Sequence, residues 1–146
     1  MIQRCQRLVE NELEAHIFPE ARARVAAHQQ AGDRVVILTA SSSYIAEPIG
    51  ELLGIEDVLA TPVHVMDGLF TGQFEEPVCY GRGKRVWAER FCESEGYALE
   101  EAAFYTDSVT DLPVLDVVGE PRVINPDPRL DRLARRRGWS VEEWTL

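Results

Sequence analysis

Apolar runs that alternate with helical patterns constrain the fold of this 146-residue chain more than any other feature. The runs Val35–Leu38 and Ala102–Tyr105 are continuous, and shorter strand-like runs lie at Val58–Thr61 and Pro121–Asn125. Continuous apolar runs suit strands of a parallel sheet that is covered on both faces, because neither side of such a strand meets water. The alternation therefore predicts an α/β fold, a Rossmann-like parallel sheet sandwiched by helices with right-handed crossovers.

Glycine and proline set the predicted boundaries of the other elements. Asp67-Gly68 lies between two alternating segments and predicts a β-hairpin over residues 63–74. Four helices are predicted to stop at glycines, since glycine readily takes the left-handed conformation that ends a helix. Helices are expected over residues 1–15, 19–31, 44–53 (with Pro48 delaying or kinking it), 84–95, from 112 onward, and 128–137.

The composition excludes some classes of protein. The length suits one domain with a real core, and the net charge of −10 argues against a general nucleic-acid or membrane-surface binder. A small phosphorylated substrate remains compatible, since it needs only local positive potential. Cys5, Cys79 and Cys92 show no pairing or metal-ligand pattern, which favours reduced thiols in a cytoplasmic protein. No run is long enough for a transmembrane helix.

Two carboxylates follow the apolar run that ends at Tyr105. A strand would deliver Asp107 to its carboxyl end, and a turn would bring Asp111 back beside it. Crowded carboxylates repel each other unless a cation lies between them, and oxygen-only ligands favour Mg²⁺. The alternative is that both residues cap a turn and the next helix. These residues alone leave the two interpretations about even.

Two further polar residues are candidates for binding a phosphate. Thr39 is the first polar residue after a predicted buried strand, and its hydroxyl with the following N–H groups could hold a phosphate oxygen. Lys84 follows Gly81-Arg82-Gly83 at the start of a predicted helix, where the helix dipole prefers anions. A lysine at that place is explained if it shares the position with a bound phosphate. Taken one at a time, an ordinary cap and a solvated lysine are the favoured readings.

Taken together, these residues resemble a known family. Thr39, then Lys84, then Asp107-Ser108-Val109-Thr110-Asp111 have the order and approximate spacing of motifs two, three and four of the haloacid dehalogenase-like (HAD) hydrolases. The hairpin before Lys84 and the segment Asn125–Leu130 resemble subfamily IB, which includes phosphoserine phosphatase. The resemblance covers about residues 15–146, and the ordered set is more specific than any single motif.

The resemblance implies a role for each residue. In that family a Mg²⁺-assisted aspartate attacks a phosphoryl group, and water cleaves the resulting aspartyl-phosphate. Asp107 would be a direct Mg²⁺ ligand, and Asp111 would help to hold the metal, through its water or by orienting Lys84. Thr39 and the N–H of Ala40 would bind the phosphoryl group, while Lys84 would neutralise charge on the nucleophile and the phosphate.

One departure from the family pattern limits what the resemblance implies. The first motif, Asp-x-Asp at the tip of the first strand, occurs nowhere in this sequence. We expect residues 1–15 to be a remnant of the helical cap and residues 16–146 to form a HAD-like core that lacks the first central strand and most of the cap. The inner strands would then pair directly, take up a strand of another chain, or belong to a chain cut from a longer protein. A truncated or misassigned start is the favoured explanation.

These observations lead to three functional hypotheses. The chain is part of a Mg²⁺-dependent phosphatase for a small phosphorylated metabolite, with little activity on its own because the nucleophile is missing. Alternatively, it is a non-catalytic phosphate-binding or regulatory module. In the third hypothesis a complementing chain supplies the Asp-x-Asp strand. The incomplete sheet raises the chance of self-association.

Overall fold

A computed structural model of the protein describes Arg7 and residues 12–146. The helix and the cap remnant predicted over residues 1–15 therefore lie mostly outside the described residues. The chain divides into two compact units, one reaching to Cys79 and including Thr145–Leu146, the other spanning Tyr80–Trp144. None of the described helices is both long and apolar enough to span a membrane.

The described part of the first unit combines a two-stranded parallel sheet, a hairpin and two α-helices. A short 3₁₀ turn over Glu14–His16 precedes these elements. They are α1 (Pro19–Ala31), β1 (Val36–Ser42), α2 (Ser43–Leu53), β2 (Asp57–Thr61), β3 (Val63–Met66) and β4 (Leu69–Phe74).

Strands β1 and β2 are parallel, and their pairing is regular from Val36 opposite Asp57 to Thr39 opposite Ala60. The register then shifts before Ser42 pairs with Thr61. The prediction that this strand ends at Thr39 is wrong by three residues, because the irregularity lets polar residues continue the strand. Helix α2 packs on both strands and runs through Pro48, and it begins at Ser43 rather than late.

The hairpin predicted from Asp67-Gly68 is confirmed. Asp67 has φ 51° and Gly68 has φ 76°, so both central residues are left-handed, as a two-residue type I′ turn requires. Strand β4 is exposed along its whole length, and the ring of Phe70 lies 5.4 Å from that of Tyr44. The hairpin is therefore largely a surface element of the first unit.

The second unit is built on a three-stranded parallel sheet in the order β5-β6-β7. Its core is formed by Leu115, Val123, Leu130 and Ala134, with Phe104 and Trp139 among the side chains packed against it. Short 3₁₀ turns cover Leu99–Glu101 and Val109–Asp111. The other elements are α3 (Arg82–Glu95), β5 (Ala103–Thr106), α4 (Leu112–Leu115), β6 (Glu120–Ile124), α5 (Pro128–Arg137) and β7 (Ser140–Glu142).

The predicted α/β class is confirmed, as parallel sheets flanked by helices. The parallel strands form two sheets, β1-β2 and β5-β6-β7, instead of the single predicted sheet, because a sequence pattern identifies strands but not the strands with which they pair. Strand β7 was not predicted, since Ser140-Val141-Glu142 carries one apolar residue and no run. The division at Cys79 differs from the predicted boundary at residue 16, which stays a prediction.

Candidate functional site

Strand β5 delivers two polar residues to the loop that follows it. Thr106, the last residue of the strand, is 9% exposed, whereas Asp107 is exposed. The chain then turns through the 3₁₀ segment Val109–Asp111, which returns Asp111 to a position where it is only 4% exposed. The predicted strand end and the turn after it are confirmed, whereas the predicted placement of Asp111 beside Asp107 stays a prediction.

The loop is held by hydrogen bonds among its own residues. The N–H of Ser108 donates to the hydroxyl oxygen of Thr106 at 3.2 Å, and the N–H of Asp111 donates to the carbonyl of Ser108 at 3.1 Å. The hydroxyls of Ser108 and Thr110 share a hydrogen bond of 2.8 Å. Small hydroxyl residues suit such a turn because their side chains bond to nearby backbone groups.

The carboxylate of Asp111 is the centre of a buried polar cluster. Its Oδ2 accepts hydrogen bonds from the hydroxyl of Thr106 at 2.7 Å and from Nζ of Lys84 at 2.9 Å. Nζ also lies 2.8 Å from Oδ1, so the ammonium group contacts both oxygens of the carboxylate. Oδ1 is buried and accepts no hydrogen bond from the described residues.

Lys84 reaches this carboxylate from the first turn of α3. The turn before the helix contains Gly81 at φ 54°, and the N–H of Gly83 donates to the carbonyl of Tyr80 at 2.9 Å. The side chain of Lys84 is 12% exposed. A positive charge near a helix N-terminus is unfavourable with respect to the helix dipole, so the carboxylate of Asp111 compensates for both that effect and the loss of water.

Asp127 lies beside the same loop, at the N-terminus of α5. Its Oδ1 accepts from the N–H groups of Arg129 and Leu130 at 2.8 and 2.9 Å, and its Oδ2 accepts from the N–H of Val109 at 2.8 Å. Its own N–H donates to the carbonyl of Asp107 at 2.9 Å. The backbone donors, Val109 first, lower the pKa of Asp127 against the opposing effect of burial.

The predicted phosphate-binding residues Thr39 and Ala40 belong to the first unit. The hydroxyl oxygen of Thr39 accepts a hydrogen bond from the N–H of Ser41 at 3.1 Å, and Ala40 is exposed. Lys84, Asp107 and Asp111 belong to the second unit, where the structure brings Lys84 and Asp111 together. The combination of Thr39 with these residues stays a prediction.

Asn125, which the sequence places at the end of another strand, has a structural role. It takes a positive φ of 44°, and its side chain makes two hydrogen bonds of 2.9 Å with the backbone of Trp144. Both polar atoms of its amide are therefore used within the fold.

Two contributions to the site were missed in the sequence. One is the hydroxyl of Thr106, whose only signal is its position as the polar residue that closes an apolar run. The other is the contact of Asp127 with the loop, since helix capping already accounts for an aspartate followed by a proline. Neither could be identified without knowing which loops meet.

The cluster has the chemistry of a site for a hard cation but an incomplete set of ligands. Among the described residues, no group of three or more His, Cys, Asp or Glu side chains is placed to hold a metal ion. The exposed carboxylate of Asp107 and the buried Oδ1 of Asp111, which lies 2.8 Å from Nζ of Lys84, fit the preference of Mg²⁺ for oxygen. Because Oδ2 is already bonded, orienting Lys84 is the role of Asp111 that the geometry supports best.

Comparison with known proteins identifies the family. The family model for haloacid dehalogenase-like hydrolases matches residues 1–116. The chain belongs to the haloacid dehalogenase-like hydrolase family. Its candidate site lies on β5 and the adjacent loop, where the resemblance placed the fourth motif of that family.

Individual relatives agree with this assignment. The HAD-like chain is 43% identical over 125 residues to a probable phosphatase of Mycobacterium tuberculosis, covering 86% of this chain and 43% of that protein. It is 35% identical over 130 residues to a phosphoserine phosphatase of the same organism, covering 89% of this chain and 42% of the other. The predicted phosphoserine phosphatase-like subfamily is thereby confirmed. The chain thus spans less than half the length of these two relatives.

A solved structure extends the likeness to the fold. A Bordetella pertussis protein of unknown function superimposes with a TM-score of 0.86 and 32% identity. The superposition covers 94% of this chain and 63% of that protein. The two proteins therefore share their fold over nearly all of this chain.

Proposed function

We propose that this HAD-like chain forms part of a Mg²⁺-dependent phosphatase that acts on a small phosphorylated metabolite. The observation that carries the proposal is the buried cluster in which the carboxylate of Asp111 accepts from both Lys84 and Thr106. Phosphoryl transfer depends mostly on positioning and charge stabilisation, and a fixed, nearly buried ammonium group supplies both. The names of the mycobacterial relatives support the same reaction class.

In this proposal each residue has one task. Lys84 neutralises charge on the transferring phosphoryl group, and Asp111 with Thr106 holds its ammonium in place. The Thr39 hydroxyl and the N–H of Ala40 bind phosphoryl oxygens. Asp107 would hold the cation directly, and Oδ1 of Asp111 would lie in the cation's surroundings. When bound, Mg²⁺ would supply positive charge opposite the phosphoryl oxygens.

The attacking carboxylate is not among these residues. The sequence contains no Asp-x-Asp pair, so the 146-residue chain should hydrolyse phosphomonoesters very slowly by itself. A strand carrying Asp-x-Asp, supplied by a preceding segment or by another chain, would complete the reaction centre. The acidic chain, with its net charge of −10, would attract the cation while a local lysine serves the anion.

Complementation tests the catalytic proposal. A peptide with an Asp-x-Asp strand is added to the purified chain with Mg²⁺, and hydrolysis of a generic phosphomonoester is measured. We expect turnover that depends on the peptide and falls by about a hundredfold or more in Asp107→Asn, because a direct metal ligand is lost. The control is Asp131→Asn, an exposed-pair residue on α5 that should leave the rate unchanged. Normal turnover without the peptide, indifferent to Asp107→Asn, would contradict the proposal.

A second candidate is a non-catalytic phosphate-binding or regulatory module. It is favoured by the combination of a missing Asp-x-Asp pair with an intact Lys84–Asp111 contact. Inorganic phosphate and Mg²⁺ would then raise the melting temperature by mass action, while no peptide would restore turnover. The absence of any shift at millimolar phosphate, in the chain and in Lys84→Gln alike, would remove this candidate.

The proposal also covers partners and location. We place the substrate among small phosphorylated molecules rather than nucleic acids or membranes, in keeping with the acidity of the chain. Self-association through incomplete sheets is part of the same proposal. A cytoplasmic location is proposed because the spacing of Cys5, Cys79 and Cys92 in the sequence shows no pairing or metal-ligand pattern.

A further inference from the structure

Asp127 contacts the Asp107–Asp111 loop at two backbone positions and also caps a helix. Its N–H donates to the carbonyl of Asp107, and its Oδ2 accepts from the N–H of Val109, at 2.9 and 2.8 Å. These bonds bracket Ser108 and come from a residue that follows β6, whereas the N–H groups of Ser108, Thr110 and Asp111 donate to acceptors within residues 106–108. The position of the loop relative to the sheet is thus fixed from outside.

We infer that Asp127 is a positioning residue for the cation-holding loop, because its second carboxylate oxygen fixes the backbone between Asp107 and Asp111. The inference rests on the proposed function, in which these two carboxylates serve the cation. The side chain of Asp107 is exposed. The direction of this side chain then depends on the backbone of Asp107, whose carbonyl accepts a hydrogen bond from the N–H of Asp127.

The two carboxylate oxygens of Asp127 have different partners, so the contact with the loop can be tested separately from helix capping. Oδ1 accepts from Arg129 and Leu130 and serves α5, whereas Oδ2 accepts from Val109 and serves the loop. A serine at this position keeps one oxygen that can cap the helix and removes the oxygen that reaches the loop. A loss of the cap alone would therefore not reproduce the effect of Asp127→Ser.

Packing gives a competing explanation for the order of the loop. The side chain of Val109 lies against the core formed by Leu115, Val123, Leu130 and Ala134. If this packing alone held the loop, removing Oδ2 would change neither the exchange of the Val109 amide nor the binding of a cation. The test must therefore report on the backbone and on the cation separately.

The experiment compares the unsubstituted chain with Asp127→Ser and with the control Asp131→Ser. Asp131 lies on the same helix and pairs with the exposed Arg135, so its loss matches the change in charge without touching the loop. Amide hydrogen exchange is followed at Val109 and Leu130, and Mg²⁺ is titrated to tens of millimolar while the amide resonances of residues 107–111 are recorded.

In Asp127→Ser we expect exchange of the Val109 amide to accelerate about tenfold, with Leu130 unchanged, since one charge-assisted bond is lost and the cap is kept. The dissociation constant for Mg²⁺ should rise about ten- to a hundredfold, as for other residues that orient metal ligands. Asp131→Ser should match the unsubstituted chain in both measurements.

Three results would overturn the inference alone: an unchanged Val109 amide, an unchanged dissociation constant in Asp127→Ser, or an equal weakening in Asp131→Ser. Absence of any Mg²⁺ response in the unsubstituted chain would instead overturn the proposed function, and the inference would fall with it.

Discussion

A lysine and an aspartate, both nearly buried, neutralise each other's charge in the second unit. The side chains of Lys84 and Asp111 are 12% and 5% exposed, and Thr106 completes the contact. Removing one member of such a pair leaves a charge without water and without its partner, which costs more than the pair itself contributes. The two members differ, however, because the lysine is long enough to reach solvent and the aspartate is not.

The first prediction follows from this asymmetry. Lys84→Met should destabilise the chain by about 3 kcal/mol, because the Asp111 carboxylate stays buried with only the hydroxyl of Thr106 as a partner. Asp111→Asn should cost about 1–2 kcal/mol, since the ammonium of Lys84 can turn outward. Urea unfolding measures both values. Arg85→Gln, which breaks an exposed pair on the same helix, is the control and should change stability by less than about 0.5 kcal/mol. Equal costs for all three would contradict the reasoning.

The second prediction concerns acid. Arg34 donates two hydrogen bonds to the carboxylate of Asp57, at 2.7 and 2.9 Å, and thereby lowers the pKa of Asp57 despite some burial. Because the folded-state pKa is lowered, the stabilisation is fully present above the unfolded value of about 3.9 and disappears as the pH falls through the folded value. Arg34 is 38% exposed, so the pair contributes no more than about 1 kcal/mol.

Arg34→Gln should therefore lower the free energy of unfolding near neutral pH and have progressively less effect below about pH 4. The measurement is the urea midpoint of both chains across this range of pH. A difference that persists unchanged at about pH 2 would show that the arginine stabilises the fold by packing rather than by its contact with Asp57.

At this scale the sequence predicts residue types better than contacts. Lys84 and Asp111 could be singled out because a lysine before a helix and a second carboxylate after a strand are unusual, and they do meet. The hydroxyl of Thr106 and the reach of Asp127 to Val109 could not be predicted, because each joins positions whose proximity depends on the fold. For Thr39 the sequence prediction remains untested.

Four helices in this chain end at a glycine whose backbone is left-handed. Other element boundaries depend on contacts with neighbouring strands. The predicted stops at Gly32, Gly54, Gly96 and Gly138 are confirmed, each with positive φ. Such stops can be read from sequence because the cause is local. Strand β7 and the extension of β1 to Ser42 depend on neighbouring strands, so a local pattern did not reveal them.

The third prediction concerns a glycine whose role is spatial. A Cβ on Gly119 would lie 2.0 Å from the carbonyl oxygen of Glu100, so the segment before β6 could not keep its place against the turn before β5. Gly119→Ala should destabilise the chain by about 3 kcal/mol or more. The comparison is Gly72→Ala. There φ is 79° but the added Cβ would meet no atom within 4 Å, so backbone strain alone should cost about 1 kcal/mol. A thermal or urea midpoint that falls more for Gly72→Ala would contradict this account.

The molecule has a strongly negative net charge and open sheets whose edge strands could pair with another chain. Among the described strands, β1 and β5 each lie at the edge of their sheet. Edge strands invite pairing with another chain, whereas a net charge of −10 opposes the approach of a second copy. The α/β class was predictable from the alternation of patterns, but the division into two units was not, since no linker composition marks Cys79.

The fourth prediction uses this opposition. Salt screens repulsion between like-charged molecules but hardly affects backbone pairing, so self-association should increase as salt rises from about 0.05 to about 0.5 M. Sedimentation velocity at several protein concentrations measures it. A species that stays monomeric at every salt and protein concentration would count against pairing through the sheet edges.

The ammonium of Lys84 is already engaged before any ligand arrives. In the proposed function, an incoming phosphate must share that ammonium with Asp111. A cation near Asp111 would offset part of the carboxylate's negative charge and so weaken its hold on the ammonium. Each ligand would then leave the lysine freer for the other, so the affinity for phosphate should rise with Mg²⁺ by the same factor as the affinity for Mg²⁺ rises with phosphate. Such a molecule would respond to the coincidence of two ions, and weakly to either one.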